Sequence, residues 1–105
     1  MGSAMTDDLL QLRVARAVRE ATLATEGVRA MGKGRYAEAA TYGAGEKVTG
    51  VVVDPEEVRV HVVLGYPLVA PIPALAERVR ERVIPRAGGR ATTVVVEDLE
   101  VGGEG

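Results

Sequence analysis

The stretch Lys47-Val48-Thr49-Gly50-Val51-Val52-Val53-Asp54-Pro55-Glu56-Glu57-Val58-Arg59-Val60-His61-Val62-Val63-Leu64 decides the fold. Two runs rich in β-branched residues flank Asp54-Pro55-Glu56-Glu57, a segment whose proline and acidic residues favour a tight turn. The expectation is a β-hairpin with strands over 47–53 and 57–64. Side chains alternate along a strand, so Thr49, Val51 and Val53 share one face of the first strand. Val58, Val60, Val62 and Leu64 share one face of the second. The opposite faces carry Val48, Val52 and Val63 beside Arg59 and His61. A thin sheet that is half apolar on its second face tends to be covered there.

Outward from the hairpin, helices are expected on either side. Over 6–26, Leu10, Val14, Ala17, Val18 and Ala21 recur at helical steps. Thr6 is the candidate N-cap, Asp7 and Asp8 suit the positive end of the helix dipole, and Gly27 stands where a helix-ending glycine belongs. Leu9, Leu12 and Leu23 lie off that stripe and either widen the core face of this helix or, with Val52 and Val63 on the sheet, form a candidate partner surface. Residues 28–46, with Gly32, Gly34, Gly43 and Gly45, read as a long glycine-rich connection. After a proline-rich link over 65–71, Pro73 opens a second helix, where its missing N–H costs little. Ile72, Leu75, Ala76, Val79 and Val83 form its apolar stripe, and Pro85 with Gly88-Gly89 ends it. A third, Thr- and Val-rich strand follows over 91–97.

The order is thus α-β-β-α-β, an α+β domain with a three-stranded sheet packed by two helices. The third strand is expected beside the first and antiparallel to it, with both helices on one face and a right-handed crossover through the second helix. Residues 1–5 read as an expression scar or disordered N-terminus, 6–101 as the single domain and 102–105 as a disordered tail.

The chain has 105 residues, 47% of them apolar and 27% charged, with a formal net charge of −2. That balance suits a globular domain and lacks the basic excess of a dedicated nucleic-acid binder. With no Phe, Trp or Cys, the interior must be aliphatic, and disulfides and thiolate metal sites are excluded. No signal peptide or spanning helix is visible.

Candidate chemistry is sparse. Gly27-Val28-Arg29-Ala30-Met31-Gly32-Lys33-Gly34 matches the start of a phosphate-binding loop but has Gly34 where the Mg²⁺-binding Ser or Thr belongs. It also follows a helix instead of a strand. His61 is the only histidine, and the only serine is Ser3, so no serine triad can be assembled. The acid pairs Glu56-Glu57, Glu97-Asp98 and Asp7-Asp8 read as solvated positions at a turn, a strand end and a helix start. Arg29, Lys33 and Arg35 form a candidate anion contact. A second basic run, Arg78, Arg80, Arg82, Arg86 and Arg90, is interleaved with Glu77 and Glu81 and is expected to pair with itself in part. The only G-x-x-G, at 102–105, lies in the tail, which counts against an RNA-clamping KH module. No catalytic residue, cofactor site or metal site is expected.

Three segments together resemble the alkaline-shock-protein family of bacterial cell-envelope stress proteins. They are Ala24-Thr25-Glu26-Gly27-Val28, Gly65-Tyr66 followed by Ile72-Pro73-Ala74-Leu75-Ala76 with Val79 and Val83, and Val94-Val95-Val96-Glu97-Asp98-Leu99. The likeness spans about 12–101 and departs from the family in the 67–71 stretch and the alanine- and arginine-rich make-up. The resemblance implies a non-enzymatic scaffold, cytoplasmic or peripheral to the inner face of the cell membrane. Such a protein would self-associate and be recruited by a small membrane-protein anchor, with no small-molecule substrate. The alternatives are an RNA- or ribosome-associated module using the basic clusters, or a regulatory subunit of a metabolic enzyme.

Overall fold

A computed structural model describes residues 3–34, 38–43 and 45–101, with side chains from Leu9 onward. It is an α+β domain in which two helices, α1 (Ser3–Leu23) and α2 (Ile72–Val83), cover one face of a mixed sheet. The strands are β1 (Val28–Met31), β2 (Ala40–Gly43), β3 (Glu46–Thr49), β4 (Val51–Val53), β5 (Glu57–Tyr66) and β6 (Ala91–Val101).

The hairpin expected around Asp54-Pro55 is present as β4 and β5, with Val53 opposite Val58 and Val51 opposite Val60. Its first strand is broken at Gly50, whose φ of +91° is open to glycine but strained for other residues. The break resets the side-chain alternation. Val48 and Val51, expected on opposite faces, both enter the core. Before the break, β3 pairs with β2 in a separate two-stranded ribbon. The connection expected over 28–46 therefore holds two short strands, because backbone pairing to β5 and β3 outweighs its glycine content.

β5 is the axis of the sheet. Along one edge it is flanked end to end by β4, at Val58 to Val60, and by antiparallel β1, at Val62 to Leu64. Between them the His61 N–H donates to the Gly50 carbonyl and the Gly32 N–H to the His61 carbonyl, at 2.8 and 2.7 Å. β6 runs parallel to β5 along its whole other edge. This corrects the expected placement of the last strand beside the first. A helix-length crossover after β5 returns the chain in the same direction, and the free edge of β5 gives it a full-length parallel partner, as in a βαβ unit.

Val58, Val60, Val62 and Leu64 of β5, Leu12, Ala15 and Val18 of α1, and Leu75, Val79 and Val83 of α2 meet in one aliphatic core. Each fully buried Val or Leu contributes roughly 1.5–3 kcal/mol of transfer free energy. The buried line of α1 is Leu12, Ala15, Val18, Ala21 and Thr22, continued just past its end by Thr25, while Leu10 is half exposed. Leu12, which the sequence left between a wide core face and a partner surface, is only 1% exposed and belongs to the core. Both stripes have helical spacing, and Thr22 and Thr25 can line the buried one because their hydroxyls bond back to the Val18 and Ala21 carbonyls. α1 starts at Ser3, so Thr6 lies within the helix rather than capping it, and residues 3–5 are helical rather than a disordered lead. The tail over 102–105 lies outside the described residues.

Candidate functional site

β6 carries an extra residue where its register with β5 slips, between the pairs Val62–Val96 and Val63–Asp98. That residue is Glu97. The bulge aims its carboxylate across the second sheet face toward His61. Glu97 Oε2 lies 2.7 Å from His61 Nδ1 and accepts the Gly34 N–H at 2.6 Å, and Oε1 accepts the Lys33 N–H at 3.1 Å. The carboxylate also lies against Gly32, where a Cβ would collide with it. Three successive loop residues are thus wrapped round one side chain.

An ionised carboxylate only accepts, so in this contact His61 Nδ1 is the donor and Glu97 the acceptor. Nε2 is buried without a hydrogen-bond partner among the described residues. The side chains of His61 and Glu97 are only 11% and 21% exposed. Gly34, Glu38, Val95 and Asp98 complete the surrounding hollow. Among the described residues no three His, Asp or Glu side chains are placed to hold a metal ion. The chemistry within reach is that of a clasp, in which Glu97 ties the 32–34 loop to the sheet over His61.

Sequence reasoning placed His61 on the less buried face and took Glu97 for a solvated strand end. His61 does lie on the less buried face of β5, though it is itself buried there, and the reading of Glu97 is corrected. The sheet is covered at this point by the loop, and the single-residue bulge that turns Glu97 inward leaves no mark in the alternation of 91–97. The faint signal was the G-K-G triplet at 32–34. Its Lys33 and Gly34 N–H groups form an anion cradle, and the anion is the protein's own Glu97.

The other candidate residues are dispersed. Arg29 Nε pairs with Glu100 at 3.3 Å, the Lys33 backbone is held by Glu97, and Arg35 lies outside the described residues. Leu9 and Leu23 are exposed at the surface of α1, and Val52 and Val63 are half-buried on the second sheet face. On α2, Arg80 pairs with Glu77 across one turn at 3.3 Å, as expected. Arg16 Nε donates to Glu46 at 3.0 Å, joining α1 to the β2–β3 ribbon. This hydrogen-bonded pairing holds the Glu46 carboxyl below its usual range and raises the Arg16 guanidinium.

The remaining feature is the outer edge of β6, which has no strand beside it among the described residues. The Ala91 N–H donates inward to Glu56. In the alternating ladder, Thr92, Val94 and Val96 therefore direct their backbone groups outward. Beyond the bulge, Asp98 Oδ1 takes the Leu99 N–H at 2.8 Å and caps that part of the edge. The stretch over 91–96 is uncharged, and among the described residues no side chain caps its outward backbone groups. Long open edges of this kind template strand pairing unless they are blunted.

Comparison with protein-family models, with curated proteins and with solved structures found no match. Among the described residues no helix is long and apolar enough to cross a membrane.

Proposed function

We propose that this protein is a non-enzymatic scaffold that self-associates and binds a protein partner. The observation that carries this reading is the open edge of β6, an 11-residue strand whose uncharged half offers unsatisfied backbone groups. Exposed Leu9 and Leu23 on α1 supply further apolar surface for a partner. The His61–Glu97 pair is consistent with the reading, because its carboxylate is engaged by the protein's own loop. The resemblance to alkaline-shock proteins adds an envelope-stress setting, at the inner face of the cell membrane through a small membrane-protein anchor.

The test is the mass of the intact chain by light scattering from micromolar to millimolar concentration. Self-association predicts a mass that climbs above the 11.0 kDa of one chain. A constant monomer mass across the range contradicts it.

A further inference from the structure

From the geometry of the β6 edge we infer that two copies of the chain pair antiparallel through 91–96, about a two-fold axis at Val94. The inference rests on the proposed self-association and specifies its surface and register. Antiparallel neighbours exchange hydrogen bonds between residues whose backbone groups both point outward. On this edge those residues are Thr92, Val94 and Val96. One register engages all of them. Val94 faces Val94 of the second copy, and Thr92 and Val96 face each other.

The charges select the same register. Glu97, Asp98 and Glu100 crowd the C-terminal half of β6, whereas Arg86 and Arg90 stand just before its N-terminal end. Pairing centred on the acidic half would place Asp98 against itself, and like charges directly opposite destabilise a ladder. A two-fold at Val94 instead brings the acidic end of each copy beside Arg90 of the other. Arg90 is suited to this, because its guanidinium bonds only the Asp54 and Ala87 carbonyls and has no carboxylate partner among the described residues. The Asp98 cap on Leu99 confines pairing to the N-terminal half. In the paired form the two sheets join into one, with the helices of both copies on the same side.

The register is tested by thiol cross-linking, since the chain has no cysteine of its own. In the inferred register Thr93 faces Val95 of the second copy as a non-hydrogen-bonded pair. Their Cα atoms would stand about 4.5 Å apart, within disulfide range. Mild oxidation of a mixture of Thr93→Cys and Val95→Cys proteins is expected to give mainly the mixed disulfide, with little dimer from either protein alone. Homodisulfides of Thr93→Cys or of Val95→Cys would place the two-fold one pair away and overturn the register. Association by mass without cross-linking in any combination would move the interface off this edge while leaving self-association standing. A monomer at every concentration would remove both.

A second variant set keeps the inference falsifiable if either cysteine disturbs the fold. Asp98→Arg is expected to weaken the dimer by about tenfold through its two symmetry-related pairs, and Arg90→Asp added to it should recover the loss. Unchanged association in Asp98→Arg would contradict the register.

Discussion

Glu97 is the residue on which the second face of the sheet depends. It satisfies two loop N–H groups and one imidazole nitrogen at once, so its removal strands all three. Glu97→Ala is expected to destabilise the domain by about 1–3 kcal/mol, the cost of leaving partly buried donors unpaired. Urea denaturation checks the size, and faster amide exchange at Lys33 and Gly34 checks the site. Gly32 belongs to the same unit, since an added Cβ would drive the Glu97 carboxylate off its cradle. Gly32→Ala should therefore cost much less in a Glu97→Ala background than in the parent, a coupling that a double-mutant cycle measures. Additive losses would show that the two residues do not act through one contact. At the surface, Arg16 holds Glu46 ionised below the usual carboxylate range. Because that folded-state pKa is depressed, the contribution of the pair is full above the unfolded value and is lost as pH falls through the folded one. Glu46→Gln should flatten the acid limb of the stability profile, and added salt should weaken the effect because the pair is exposed.

The elements were legible where one pattern had one solution. Asp54-Pro55 between two valine-rich runs could only be a turn, and Pro73 with Val79 and Val83 marked α2 closely. The strands β1 and β2 were not legible. They are short, contain glycine and alanine, and exist because β5 and β3 offer them backbone partners. The stripe of α1 was ambiguous because Leu10–Val14–Ala17 and Leu12–Ala15–Val18 are both helically spaced. Only packing against the sheet chooses the second. That choice has a direct consequence. Leu12→Ala should cost about 2–5 kcal/mol, as core truncations do, whereas Leu9→Ala should stay within about 0.5 kcal/mol. Thermal or chemical unfolding of the two variants side by side decides between the stripes, and equal losses would contradict the assignment. Of the candidate site, His61 was visible as the only histidine, but its partner was hidden by a bulge that hydrophobic alternation does not record.

At the scale of the molecule, the position of β6 governs everything proposed. Had it lain beside β4, the last strand would have left the other edge of β5 open. In the parallel position it completes β5 and exposes its own outer edge instead, with the acidic residues gathered at one end and the arginines at the other. Because the backbone N–H of Val94 points away from β5, proline at that position removes an outward donor without breaking the internal ladder, a setting in which a strand tolerates proline. Sedimentation equilibrium of the intact chain beside Val94→Pro, with circular dichroism to confirm that both are folded, tests this most directly. The prediction is concentration-dependent dimerisation of the parent and a monomer for the folded Val94→Pro variant. Equal association of the two, or a parent that stays monomeric at millimolar concentration, would contradict assembly through the β6 edge.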